Sequence, residues 1–203
     1  MNRIEALYSF INEDDKVVDV GCDQAKLGLM LAKRGQKSIA SDRSENVIDR
    51  ARHDLGRNKY IDLRVSDGLD NIYEGEADTL VLAGMGTHTM LEILNKTSLR
   101  FKKIITISNN YHNILREKMN DLNYKVDSEL IVEDADKFYN LIVFVPGNSE
   151  YTERELLLGL NHVDEEMYKK YINFLKEKYN NIKETSKDKN EKVDIMLEHI
   201  NSL

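Results

Sequence analysis

Val17-Val18-Asp19-Val20-Gly21-Cys22-Asp23-Gln24-Ala25-Lys26-Leu27 decides how the rest of the chain is read. A short valine-rich run breaks on a glycine and resumes with helical patterning, which is the order strand, tight turn, helix. That unit cradles nucleotides in doubly wound sheets. A dinucleotide loop would carry further glycines where this one has Asp23 and Ala25, so the ligand it suits has to be argued from the rest of the sequence.

Working outward, strand-like runs at residues 17–20, 38–41, 61–65, 79–83 and 104–107 are interleaved with helical patterns at 2–12, 25–34, 45–55, 87–94 and 111–122. Glycines 35 and 56 fall just past two of these helices, where a left-handed residue commonly stops the turn. Runs at 130–133 and 139–145 flank Asp134-Ala135-Asp136 and predict a closing hairpin. Alternation implies parallel crossovers, and the final pair implies an antiparallel edge. The expected fold is therefore α/β: a Rossmann-like class I methyltransferase sheet, mostly parallel, with an antiparallel terminal hairpin. The only proline, Pro146, with Gly147, punctuates its end. Domains are expected at 1–148 and 149–203. In the second, Thr152-Glu153-Arg154-Glu155 is a capping box opening a long helix. Leu156, Leu160, Val163, Met167, Tyr171, Phe174, Leu175 and Ile182 form its stripe. Residues 184–192 read as a polar turn, and Val193, Met196, Ile200 and Leu203 as a second stripe, so an antiparallel helical coiled-coil appendage is expected.

The 203 residues allow one full domain plus an appendage, and 41% apolar content permits a buried core. No apolar run is long enough to span a bilayer, the first residues lack the order of a signal peptide, and one cysteine excludes an internal disulfide. A cytoplasmic monomer is expected, without membrane or metal. The formal net charge of −7 argues against a broadly basic nucleic-acid-coating protein. Locally, residues 33–59 hold eight basic side chains against four acidic ones, and Lys96, Arg100, Lys102 and Lys103 form a second cluster. Such patches could serve the phosphates of one structured RNA.

In doubly wound sheets the ligand sits beyond the carboxyl ends of the strands. Every distinctive residue here falls at such an end: Asp19, Gly21 and Asp23; Asp42; Asp67-Gly68; Gly84-Met85-Gly86; Ser108-Asn109. Singly each reads as a turn or helix cap; together they read as a site. Asp42, about 20 residues past the glycine turn, suits the two hydroxyls of a ribose. A pyrophosphate needs a loop free of negative charge. S-adenosyl-L-methionine carries instead a sulfonium and an amino group, which Asp19 and Asp23 favour. Asp67 could accept from the adenine amino group. His53, His112, His162 and His199 read as surface residues of helices. His88, just past Gly86, reads as a helix-start residue, with substrate contact as the alternative. The corner after the fourth strand, Ala83-Gly84-Met85-Gly86, lacks the Asn/Asp-Pro-Pro-aromatic motif of adenine N6 enzymes. A ring nitrogen with an in-plane lone pair, such as adenine N1, needs alignment more than a strong base.

On these residues the chain resembles the bacterial tRNA (adenine-22-N1)-methyltransferases. Asp19-Val20-Gly21-Cys22-Asp23-Gln24-Ala25-Lys26-Leu27 resembles that family's Asp-Ile-Gly-Ser-Asp-His-Ala-Tyr-Leu, and Ala83-Gly84-Met85-Gly86 its Ala-Gly-Met-Gly-Gly. Arg3-Ile4 to Phe10-Ile11, Leu115-Arg116-Glu117, Val132-Glu133-Asp134 with Tyr139, and the C-terminal helices resemble further landmarks. Gln24, Lys26 and Thr87 depart from the pattern, and Asn109 alone remains of a Gln-Pro-Asn. The resemblance implies S-adenosyl-L-methionine as cofactor, tRNA as partner and methylation of adenine N1. Asp19, Gly21, Cys22, Asp23, Asp42, Arg43, Asp67 and Gly68 would hold the cofactor, and Gly84, Met85, Gly86 and Asn109 would face the base. The rival readings are an NAD(P)-dependent enzyme and a degenerate methyltransferase fold that binds a partner.

Overall fold

The structure is a computed structural model describing residues 1–186 and 190–203. The elements run α1 (Arg3–Ser9), β1 (Val17–Val20), α2 (Lys26–Lys33), β2 (Ser38–Asp42), α3 (Glu45–Leu55), β3 (Ile61–Val65), β4 (Thr79–Met85), α4 (Thr87–Lys96), β5 (Lys103–Ser108), α5 (His112–Asp121), β6 (Tyr124–Asp134), β7 (Lys137–Pro146), α6 (Glu153–Leu158), α7 (Glu165–Thr185) and α8 (Glu191–Asn201). One seven-stranded sheet takes the order β3-β2-β1-β4-β5-β7-β6. Its first five members are parallel, and β7 runs antiparallel to both β5 and β6. This is the Rossmann-like methyltransferase sheet that the alternation of strands and helices predicts.

The valine run that opens the chain's first loop is β1, central and buried at all four positions. A central parallel strand is covered on both faces, so it tolerates no polar alternation. One face carries Val18, Val20, Leu80, Leu82 and Ile104 against α4 and α5; the other carries Val17, Val81, Ile105 and Ile107 against α1 and α2. Strand order reverses between β1 and β4, which sets the switch point of the sheet there.

Two elements differ from expectation. The hairpin strands are longer than the apolar runs, because β6 is an edge strand whose exposed face takes Lys125 and Asp127, and a bulge at Val126/Ser128 keeps its register. The long helix expected from Thr152 onward is two helices. The Thr152–Glu155 capping box starts α6 as predicted, but Gly159 (φ 87°) stops it after six residues. A buried ion pair takes the backbone groups that would continue it: Arg116 Nη1 donates to Leu156 O at 2.7 Å, and Leu160 N donates to Glu129 Oε1 at 3.2 Å. A Cβ at position 159 would lie 2.7 Å from Glu129 Oε2. Asp164 then caps α7 by accepting from Met167 N.

α7 and α8 pack antiparallel, with Lys183 on Asp194 at one end and Ile172 and Leu175 beside Ile200 and Leu158 at the other. The turn expected at 184–192 falls in part on residues 187–189, outside the described residues. α7 rises beside the hairpin, meeting Glu133 through Lys170, Asn140 through Tyr171 and Phe138 through Phe174. Since Leu141 pairs with Ile107 near the carboxyl end of β5, the rest of α7 continues beyond the carboxyl edge of the sheet by roughly 16 Å at 1.5 Å per residue. No described helix is long and apolar enough to cross a membrane.

Candidate active site

The loop after β1 has three left-handed positions: Gly21 (φ 80°), Asp23 (φ 48°) and Ala25 (φ 50°). For a residue with a Cβ this conformation costs roughly 1–2 kcal/mol, so Asp23 and Ala25 hold glycine geometry under strain. The loop's amides are largely committed inward. Gly21 N and Cys22 N both donate to Ser41 O, at 2.8 and 3.0 Å, and Ala25 N donates to Cys22 O at 2.8 Å. Beneath the loop, Asp19 is 7% exposed and pairs with no described side chain; burial pushes its carboxyl up to about 7. The Cys22 thiol is pushed up to about 12, first by burial and then by Asp19 and Asp42.

Beside this loop opens a cavity of about 970 Å³, lined at the carboxyl edge by Gly21, Asp42, Arg43, Asp67, Gly68 and Met85. Asp42 Oδ1 accepts from Ser44 N at 2.9 Å, and Ser66 N donates to Asp42 O at 2.9 Å, so the ends of β2 and β3 are tied together. Gly68 (φ 58°) packs on Ile93, where a Cβ would come within 3.0 Å of the side chain. The connection from β3 to β4 makes turns instead of a helix, and the cavity extends along α4 to Lys96, Arg100 and Phe101. Asp19, Cys22 and Asp23 do not line it; Asp19 and Cys22 lie under the loop and Asp23 on its exposed side.

The corner after β4 forms the second half. Gly84 (φ 77°) sits in the irregular register between Ala83 and Met85. Asn109 binds this corner twice, its Nδ2 donating to Gly84 O and its backbone N to Met85 O, each at 3.0 Å. Met85 reaches back to the first loop, its Cε 3.0 Å from where a Cβ on Gly21 would stand. The structure thus brings Gly84, Met85, Gly86 and Asn109 together, with Met85 linking them to the cavity. Thr87, read as a departure from a glycine, is fully buried, with Oγ1 2.8 Å from Ser108 Oγ and 2.6 Å from Asn110 O. Thr87 N donates to Asn110 Oδ1 at 3.3 Å.

The histidines divide differently from their sequence reading. His53 is exposed, but His112 is half-buried, with Nε2 3.1 Å from Ser108 O. His162 lies in the α6–α7 connection, half-buried and stacked on Tyr168. Burial holds both below the usual imidazole range. His88 stands in the first turn of α4 with its ring 5.6 Å from that of Tyr111. Sequence reasoning missed Tyr111 and Asn110; their one signal was adjacency to Asn109 at a strand end.

The basic clusters are also rearranged. Lys33, Lys37 and Lys59 flank the amino ends of β2 and β3, on the edge opposite the site, and only Arg43 of that cluster lines the cavity. Lys102 pairs with Asp78, and Lys103 with Asp15. Besides Arg43, Lys96 and Arg100 on the cavity, α7 has five lysines over residues 169–183, of which Lys170 pairs with Glu133 and Lys183 with Asp194.

The sheet order, the acidic strand ends and the glycine corner define a class I methyltransferase scaffold. The family model described as a methyltransferase domain matches residues 1–142, and the chain belongs to that family. A curated relative from Bacillus subtilis (strain 168), a tRNA (adenine(22)-N(1))-methyltransferase, is 28% identical over 156 residues, which are 73% of this chain and just under two thirds (66%) of the relative. Among solved structures, Streptococcus pneumoniae Sp1610 in complex with S-adenosyl-L-methionine superposes with a TM-score of 0.87 at 22% identity, covering 100% of this chain and 99% of that one. M. capricolum TrmK in complex with S-adenosyl-homocysteine gives 0.81 at 23% identity, covering 98% and 93%. At these identities the two structures speak to the fold.

Proposed function

We propose that the protein methylates N1 of an adenine in tRNA, adenine 22 by its similarity to the Bacillus subtilis enzyme, with S-adenosyl-L-methionine as donor. The observation that carries the donor assignment is the first loop. Its Gly21 and Cys22 amides are spent on Ser41 O, and carboxylates lie under and on it. Such a loop suits a cation and disfavours a pyrophosphate, which also counts against NAD(P).

The residues present fit the donor. Asp42 would take the ribose hydroxyls and Asp67 the adenine amino group, with Gly68 letting the ring lie close to the backbone. Asp19 and Asp23 would offset the donor's positive end. When bound, the donor supplies a methyl group that the N1 lone pair takes as the carbon–sulfur bond breaks, leaving a neutral thioether and a cationic ring. No proton has to be removed for that bond to form, which agrees with a corner built from Gly84, Met85, Gly86 and Asn109 and no strong base. These residues would hold the Watson–Crick edge in line, and such positioning is the main requirement when no strong base is needed.

Residues 1–148 would form the catalytic domain and 149–203 an RNA-gripping appendage in the cytoplasm. Lys176 and Lys178 of α7 follow Phe174 past the same edge that carries the site, so one surface would face the phosphates and the pocket together. The test is to incubate unmodified tRNA with labelled donor and map the mark. N1 methylation of one adenine is expected, with Asp42→Ala weakening S-adenosylhomocysteine binding by roughly 10–100-fold. No transfer at any adenine overturns the reading. Calorimetry in which NADH binds and S-adenosylhomocysteine does not would move the protein to the dehydrogenase class.

A further inference from the structure

We propose that Tyr111, with His88 beside it, is the platform on which the nucleobase presented for methylation stacks. The inference rests on the reading of the substrate as an RNA adenine and names the group that would receive its π face.

Tyr111 stands two residues past Asn109, and its loop is clamped to the corner after β4. Thr87 Oγ1 reaches Asn110 O, Thr87 N reaches Asn110 Oδ1, and Asn109 holds Gly84 O. The backbone at Tyr111 is therefore held close to Gly84, Met85 and Gly86 although it follows a different strand. It serves neither of the uses that a tyrosine at a helix start usually has. It does not build the core: it is 54% exposed and belongs to none of the hydrophobic clusters. It does not cap α5: the N-cap position favours Asn, Asp, Ser or Gly, and the Tyr111 side chain makes no capping hydrogen bond. Its backbone is left-handed (φ 52°), a conformation that glycine would adopt without strain.

The ring's one described aromatic neighbour is His88, at 5.6 Å between centroids and tilted by 54°, and His88 comes from the opposite side of the same corner. Two exposed rings, one from the first turn of α4 and one from the N-cap of α5, thus meet two residues past Gly86 and two past Asn109. The corner itself contributes no aromatic side chain. An unstacked adenine has to recover its lost stacking somewhere, and an aromatic face in the pocket is the usual way. Of the other exposed tyrosine and phenylalanine side chains, Tyr73 is on the cavity wall in the β3–β4 connection and Phe174 lies against the hairpin tip; neither belongs to the corner after β4.

The experiment uses the full chain saturated with S-adenosylhomocysteine for binding and with labelled donor for turnover on an unmodified tRNA transcript. Tyr111→Ala should lower kcat/KM by about 10–100-fold, mostly through KM, and Tyr111→Phe should restore most of it. S-adenosylhomocysteine affinity should stay the same in both. Tyr111→Gly separates stacking from structure: it should melt no lower than wild type, because strain is relieved, yet be as slow as Tyr111→Ala. With 2-aminopurine in place of the target adenine, binding should quench its emission in wild type and Tyr111→Phe but not in Tyr111→Ala. Quenching without methylation of any adenine upholds the platform and sinks the N1 reading. Methylation by Tyr111→Ala at the wild-type kcat/KM, or quenching that survives the loss of the ring, overturns the platform. A chain that neither methylates nor binds RNA overturns both.

Discussion

The carboxyl edge of the sheet and the seam beneath the C-terminal helices both bury an acid, and they treat it in opposite ways. Glu129 is fully buried and fully answered. Arg116 donates Nε and Nη2 to its two oxygens at 2.8 and 2.6 Å, Leu160 N adds a third bond, and the remaining Nη1 goes to Leu156 O. Asp19 is nearly as buried and meets no described cation. The seam is complete by itself and holds α6 and α7 to the sheet. At the edge, Asp19 has no such answer, and a buried carboxyl perturbed in this way marks a candidate functional position.

The largest expected effect breaks the seam. Arg116→Met or Glu129→Leu alone leaves a buried charge unanswered and should cost about 3–5 kcal/mol, whereas the double replacement should cost far less. Denaturant unfolding of the three variants decides it; a double mutant as unstable as either single would show that the lost pair itself, and not the orphaned charge, carries the stability. The second effect belongs to Asp19. Its raised folded value means that the folded state holds the proton more tightly, so the group costs nothing below 3.8 and its full penalty, up to about 4 kcal/mol, is present above about 7. Stability should therefore fall across that interval relative to Asp19→Asn, which should be flat there but bind the methyl donor weakly. Equal pH profiles for the two proteins would remove Asp19 from this role. The smallest effect is at Asp23. Replacement by glycine should stabilise the chain by about 0.5 kcal/mol, relief of left-handed strain being offset in part by unfolded-chain entropy. Donor affinity should drop a few-fold in calorimetry, and unchanged affinity would make the carboxylate a bystander.

The fold was legible because short strand-like runs alternate with helical spacing, with β1 and β4 breaking on Gly21 and Gly84 and β2 ending at Asp42, and that pattern survives without tertiary information. The acidic strand ends were legible for the same reason. What the sequence hid were features fixed by distant partners. The stripe from Leu156 through Met167 is helical in spacing, yet Glu129, 31 residues away in the chain, captures Leu160 N and breaks it; Val163, counted within the stripe, is exposed. Tyr111 looked like an ordinary helix-start aromatic, since neither its left-handed backbone nor its pairing with His88 follows from local pattern. The charge clusters misled because proximity in sequence put Lys33 and Arg43 in one group, although β2 carries them to opposite edges of the sheet.

Cys22 has a practical consequence. It is the chain's single cysteine, buried, and its thiol is held far from ionisation, so it should be inert to thiol-directed reagents at neutral pH. A cysteine placed on the exposed face of α7 would then be the one reactive thiol in the molecule. A dye or spin label could be attached there without altering the native residue, making the spacing between the helical hairpin and the pocket directly measurable as RNA is added.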